Sequence, residues 1–473
     1  MSGIVLPADL MGEIFISIIV DIFALPGFLK GKFIARTAVF LASVDTYWRI
    51  VALSTPRMWS YIVMTPVTRD SVWYPHPDLV ALFLARAQSI PLNLKIVAKQ
   101  VLYRSPAPVW DRLAEQLMVA TAFLEILAIT DVDYRVHIAG DDGKSLARIL
   151  LKPSPKLKIL KFRYTKYAQI SDWQEVSGRI LPYAPLLVEL ELENFGNLQP
   201  SMLPPETMRG LRRLAWRVAR HGLSVSDVLD AAPKLQHLEL GHNMLRENSS
   251  VVSRHHIAHD LLSIRGDINN IVSQLERTRT PNIETMDFSG KSGIFEAIDL
   301  VQFFDAMPYE KLRYLLLPPL NPDDLARLAP VIHLFRYMPN IRTLSLPELL
   351  DKGNYLSEWA QPENVGLLPK LQTVIFRGAK PDERPLIEQL DDVSVFKFFR
   401  GRQVEISNVC DGTGRLPMVL ELEVPEDITA VEEICDLLGP YILTIRVVGS
   451  SGHRLPGTVL FEISRGLKQD RPS

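Results

Sequence analysis

The chain has 473 residues, 47% of them hydrophobic and 22% charged, with a formal charge of −2. This is folded-protein composition rather than disorder, a length of about three typical domains, and a charge that excludes bulk attraction to nucleic acid or to an anionic membrane. Its two cysteines, Cys410 and Cys435, exclude a disulfide framework and suit a reduced cytoplasmic or nuclear setting.

The apolar run Ile14 to Val20 is broken by Asp21, short of the ~20 residues that a spanning helix needs. No basic segment heads the chain, so neither export nor a membrane anchor is expected. From Ala38 to Trp59, residues Val39, Leu41, Val44, Tyr47, Trp48, Val51 and Ala52 recur at steps of three and four. That spacing predicts one buried helical side. Ser54, Thr55 and Pro56 end the period, because the residue before a proline is pushed out of the helical region. Thr65 to Pro77 reads as a proline-punctuated connector, and Asp78 to Ala87 as a helix with Asp78 as its N-cap. Pro91 to Ile96 alternates Leu92, Leu94 and Ile96 as a strand does.

Beyond residue 120 the chain repeats a unit of the form apolar-x-x-apolar-x-apolar, often with a proline two positions upstream. The copies are Leu124-Leu127-Ile129, Leu157-Leu160-Phe162, Leu187-Leu190-Leu192, Leu211-Leu214-Trp216, Leu235-Leu238-Leu240, Ile283-Met286-Phe288, Leu312-Leu315-Leu317, Ile341-Leu344-Leu346 and Leu371-Val374-Phe376. Their starts lie 24 to 33 residues apart except for one gap of 48, which leaves room for a degenerate copy near Leu261 to Ile264. Past Val393 only alternating runs remain, at Val395 to Phe399, Val419 to Val424, Ile442 to Val448 and Val459 to Ile463.

Each copy predicts a short strand, and segments such as Ile298 to Met307 and Leu325 to Met338 have helical spacing. One such unit cannot bury its apolar face alone, whereas stacked neighbours can. Leu160, Leu190, Leu214, Leu238, Met286, Leu315, Leu344 and Val374 are then expected to be buried in register. Alternation turns the other face outward: Lys161 and Arg163, then Glu189, Glu191 and Glu193, then Arg213 and Arg217, then His237 and Glu239. That band is either a charged target-binding surface or a cross-strand ladder that keeps the sheet soluble.

No motif carries chemistry. Gly143-Lys144-Ser145 and Gly290-Lys291-Ser292 lack the upstream glycine of a phosphate loop, with Ile138 and Thr285 in its place. Asp411 to Gly414 reads as a turn, and Gly222 to Ser226 fails the nucleophile-elbow pattern at its last position. His255, His256 and His259 form a cluster in which His255 and His259 lie one helical turn apart, but zinc needs a third ligand and the H-E-x-x-H pattern fails at His256, so a solvated polar helix or loop is expected. No enzymatic activity, cofactor or metal is expected.

Three blocks carry a resemblance. Leu6, Pro7, Leu10, Ile14 and Phe15 resemble the opening of an F-box of the basidiomycete type. Trp48, Arg49, Ile50, Ala52, Leu53, Ser54, Thr55, Pro56, Arg57 and Trp59 resemble its second half, and Leu82 to Ile96 the helix and strand that follow. The repeats resemble leucine-rich repeats, without a regular asparagine or cysteine position. The resemblance implies an α/β fold in which an N-terminal helical F-box (1–63) leads through a linker with a connecting helix and strand (64–115). An irregular leucine-rich-repeat-like solenoid with degenerate C-terminal repeats (116–473) then follows. It implies a substrate-recruiting subunit of an SCF-type E3 ubiquitin ligase, whose partners are a Skp-type adaptor, the cullin-RING ligase and an unknown target protein. Leu6, Pro7, Leu10, Ile14, Phe15 and Trp48 would bind the adaptor, and Lys161, Arg163, Glu189, Glu191, Glu193, Arg213 and Arg217 the target. Two other readings remain: a repeat scaffold uncoupled from ubiquitination, and an enzyme within the irregular region after Val393.

Overall fold

The computed structural model describes residues 6–24, 30–66, 73–97, 115–132, 149–168, 181–195, 203–217, 225–241, 256–266, 271, 278–288, 309–317, 335–346, 364, 367–376, 419–424, 444–449 and 459–464. The chain divides into two compact units, Met1–Ser250 and Val251–Ser473.

The first unit opens with three helices, α1 (Ala8–Ala24), α2 (Lys30–Leu41) and α3 (Thr46–Leu53). α1 buries Met11, Phe15, Ile16, Ile19 and Phe23, and α2 buries Ile34, Ala35, Ala38 and Leu41, the three-and-four spacing of a helix with one face inward. The apolar period from Val39 to Ala52 does not stay on one side. Asp45 interrupts it with extended backbone, and its carboxylate accepts from the Trp48 N–H at 2.7 Å as the N-cap of α3. The phase resets there, so Val39 and Val44 are exposed while Val51 and Ala52 are buried.

The end of α3 shows why Ser-Thr-Pro-x-x-Trp makes a stop. The last carbonyls of a helix lack intrahelical donors, and here side chains supply them. The Ser54 and Thr55 hydroxyls both donate to the Val51 carbonyl, at 3.0 and 2.7 Å. Pro56 then starts a single 3-10 turn, Pro56–Trp59, which brings the Trp59 indole N–H back onto the Ala52 carbonyl at 2.8 Å. α1 crosses this turn so closely that a Cβ on Gly12 would lie 3.0 Å from Thr55 Oγ1.

β1 (Tyr61–Pro66) follows immediately and pairs antiparallel with β2 (Trp73–Tyr74). α4 (Pro77–Ala87) is capped by His76 rather than Asp78, since the His76 ring accepts from the Asp78 N–H. It crosses over to β3 (Leu92–Val97), which lies parallel to β1. Thereafter β4 (Leu124–Val132), β5 (Ile159–Ala168), β6 (Glu189–Phe195), β7 (Arg213–Arg217) and β8 (His237–Leu240) add in sequence, each parallel to the last. Two short helices, α5 (Pro205–Arg209) and α6 (Val225–Ala231), pack together between the later strands in sequence.

In the second unit, β9 (His256–Ile257) and β11 (Thr278–Arg279) form a small parallel pair. β10 (Ser263–Arg265), at the degenerate copy, pairs with β12 (Thr285–Asp287). Then follow β13 (Tyr314–Leu316), β14 (Thr343–Leu346), β15 (Thr373–Phe376), β16 (Val419–Val424) and β17 (Thr444–Gly449), all parallel, and β18 (Val459–Ser464), which turns antiparallel. Val395 to Phe399 lies outside the described residues.

Register follows the leucines. Leu127, Leu160, Leu190, Leu214 and Leu238 pair strand to strand, as do Ile264, Met286, Leu315, Leu344 and Val374, and all are buried. Among the described residues, a tight turn recurs ahead of many of these strands. Leu187, Leu235, Ile283, Ile341 and Leu371 donate to the carbonyls of Ala184, Ala232, Thr280, Met338 and Leu368. Pro185, Pro233, Pro281, Pro339 and Pro369 fill the second turn position, where the fixed φ of proline is already correct. In the second unit these turns are also tied to one another. The Lys311 ammonium donates to Asn282 Oδ1 at 2.6 Å, and Lys370 to Asn340 Oδ1.

The fold is α/β, but the expected helical F-box followed by a leucine-rich-repeat-like solenoid is not what the structure shows. α2 packs on β1. Phe23 of α1 meets Tyr61 edge-on at 5.2 Å, and Lys95 of β3 donates to the Phe23 carbonyl at 3.2 Å. The helices therefore share the core of a parallel sheet that already begins at Tyr61. The physical reason is apolar burial: Ile19 and Phe23 of α1 are buried, and Phe23 packs on Tyr61 of β1, while Lys95 adds a cation at a helix C-terminus that has none of its own. The repeat pattern identified strands correctly but not what backs them: Ile298 to Met307, and Leu325 to Met338 up to residue 334, lie outside the described residues.

Candidate functional site

Two surfaces gather the residues singled out by the sequence. The first is the outer side of the N-terminal helices. Of the sixteen exposed large hydrophobic side chains among the described residues, ten fall between Leu6 and Leu53. Single exposed apolar residues are ordinary, whereas a concentration of them marks a place that another surface covers. Leu6, Leu10, Ile14 and Ile18 recur every four residues, with Leu10 52% and Ile14 44% exposed.

This face is held firmly. The Tyr47 hydroxyl of α3 donates to the Leu6 carbonyl at 2.6 Å, which ties the segment before α1 to α3. Half-buried Trp48 rests on Phe15 with ring centroids 5.1 Å apart. Phe15 itself is 0% exposed, a correction to its expected role: it supports the ring of Trp48 from below and cannot touch a partner. Leu6, Pro7, Leu10 and Ile14 are exposed as a docking surface requires. Ile50 and Leu53, which carry the resemblance, are exposed too, as are Ile18, Phe33 and Phe40, which the sequence reading does not single out. Ile18 was legible as the next step of four after Ile14. The others were not, because an exposed and a buried phenylalanine look alike in a periodic segment.

The second surface is the charged band on β5 to β8, and the structure brings all its members together. Lys161 Nζ lies 2.9 Å from Glu189, and Arg163 reaches Glu191 at 2.6 Å. Arg217 bridges Glu191 at 3.0 Å and Glu239 at 2.7 Å and also meets Glu193, while Arg213 sits 3.5 Å from Glu189. Burial pulls the Arg217 guanidinium down, but its hydrogen bond to Glu239 and the charges of Glu239, Glu193 and Glu191 outweigh that and hold it above its ordinary value. His237 is pulled below its usual range by burial and by Arg213 beside it, so it adds no charge at neutral pH. Four cations thus face four carboxylates, and the band neutralises itself. Glu191 is 4% exposed and the Arg217 side chain 10%. As a correction to their expected target-binding role, these two work inside the sheet.

Gly241, after β8, controls the centre of this network. Its N–H donates to the Trp216 carbonyl at 2.9 Å, and an added Cβ would fall 2.6 Å from the Arg217 Cα. Gly241→Ala is therefore expected to destabilise the protein by about 1–3 kcal/mol through overpacking. The midpoint of denaturant unfolding measures it.

The remaining sequence features do not assemble. Residues 138–145, 222–224, 290–292, 411–414 and His255 lie outside the described residues. His256 is on β9 and His259 in the turn after it. Among the described residues no group of three or more His, Cys, Asp or Glu could hold a metal ion, and no helix is long and apolar enough to cross a membrane. No protein-family model matches the chain, and no curated protein matches it.

Proposed function

We propose that the chain is a substrate-recruiting subunit of an SCF-type E3 ubiquitin ligase, with its N-terminal helices docking a Skp-type adaptor. The observation that carries the reading is the exposed row that runs from Leu6, just before α1, to Leu10, Ile14 and Ile18 on α1, beside half-buried Trp48. Leu6, Leu10, Ile14 and Trp48 are among the residues that carry the sequence resemblance. Covering such a row removes apolar surface from water, and a few anchors of this kind usually dominate binding. The rest of the chain would hold the target. With the band on β5 to β8 internally paired, contact there falls to its more open cations, Arg163 and Arg213, whose side chains are 40% and 57% exposed. The work is tethering: a target held beside the ligase is modified at high effective concentration. The reading carries with it a cytoplasmic or nuclear setting and requires no cofactor.

Leu10→Asp tests it. A carboxylate placed in the centre of the docked face must be desolvated without a partner. Affinity for a purified Skp-type adaptor is expected to fall at least tenfold while circular dichroism and the unfolding midpoint stay as in wild type. Undiminished capture by the folded variant would remove the docking reading and leave a scaffold uncoupled from ubiquitination as the better description.

A further inference from the structure

α1 carries a second pattern beside its apolar row. Asp9, Glu13 and Asp21 also step by four, with Ser17 completing the series, and each is exposed. Asp9, Glu13 and Ser17 directly precede Leu10, Ile14 and Ile18, so this polar row runs alongside the apolar one, about 100° further round the helix. On the opposite side of the apolar row lie Met11, Phe15 and Ile19, all buried. The apolar row is therefore bounded by the protein core on one side and by acids on the other. Among the described residues, Asp9, Glu13 and Asp21 take part in no ion pair.

This arrangement constrains what can cover α1. A surface closing over Leu10 and Ile14 brings its outer rim against Asp9 and Glu13. An acidic rim would meet repulsion there, and an apolar one would desolvate carboxylates without compensation. An anionic membrane surface is disfavoured for the same reason. We propose that α1 seats in an apolar groove of a partner protein whose outer rim carries lysine or arginine side chains facing Asp9 and Glu13. This rests on the docking reading above and adds to it the charge of the docked surface, with the orientation of α1 in the groove.

The test uses the full chain and a purified Skp-type adaptor as probe, with affinities measured at about 50 and about 300 mM salt, since exposed pairs are screened as salt rises. Wild-type affinity is expected to fall with salt. Asp9→Asn/Glu13→Gln should lose about threefold to tenfold at low salt and most of the salt dependence, and Asp9→Lys/Glu13→Lys should lose more. Both pairs lie at exposed positions, and circular dichroism checks their folding. If Leu10→Asp loses binding while the neutralised pair binds as wild type at low salt, the basic rim is overturned and docking stands. If wild type does not bind, or Leu10→Asp binds equally well, the docking reading falls and this inference falls with it. Tighter binding by the lysine pair, or stronger binding of wild type to anionic vesicles than to the adaptor, would also overturn it.

Discussion

Trp59→Ala is expected to cost about 3–5 kcal/mol of folding stability, the range for a large aromatic removed from a packed interior. Trp59 is 0% exposed, meets Phe83 edge-on with centroids 5.1 Å apart, and lies under the Arg86 guanidinium at 4.4 Å. Truncation opens a cavity between α4 and the turn after α3. It also leaves the Ala52 carbonyl without the indole donor that closes the end of α3. Trp59→Phe separates the two effects. It keeps most of the volume and loses the hydrogen bond, so its cost should be smaller, about 1–3 kcal/mol. Equal losses in the two variants, read from denaturant midpoints, would show that packing around the ring contributes little. α1 leans on the same turn through Gly12 and Thr55, so under the docking proposed above the alanine variant should also weaken adaptor capture.

Arg217→Ala is expected to cost about 3 kcal/mol, toward the lower end of what breaking a buried ion pair costs, since the band is open to water along one edge. Glu191 would keep Arg163, but Glu239, its side chain 12% exposed, would lose the guanidinium beside it. Arg217→Lys keeps the charge and loses the planar fork that reaches several carboxylates at once, so it should recover only part of the loss. Full recovery would mean that charge alone matters there. The pH dependence has a definite sign. Arg217 is held above its ordinary value, so its stabilising contribution is complete below that ordinary value and declines only as pH rises through the still higher folded one. The gap between wild type and Arg217→Ala should therefore not shrink on account of the arginine itself at any pH near neutrality.

The amino-acid sequence by itself determined the strands, their register and their entry turns. A leucine at every second position of a short strand has one buried solution, and sliding by one residue would expose the whole set. Leu160, Leu190, Leu214 and Leu238 accordingly pair without offset. The prolines two positions upstream of the repeats mark turns that proline geometry already favours. The alternating acids and bases of the outer face were equally plain, and so was the four-residue step from Leu6 to Ile14.

Only the tertiary structure decided what those charges and helices are for. Whether Glu191 faces a partner or an arginine depends on strands 26 and 28 residues away in the chain, and local periodicity carries no such information. The fold class, a helical F-box followed by a leucine-rich-repeat-like solenoid, was misjudged for the same reason. The contact from Lys95 to the end of α1 spans 72 residues, and nothing near Phe23 announces which distant residue will meet the end of its helix. Likewise, one apolar period across Asp45 hid a change of phase, since a cap resets a helix without altering the composition around it. Burial and charge pairing are properties of neighbours in space, and a chain records directly only its neighbours in sequence.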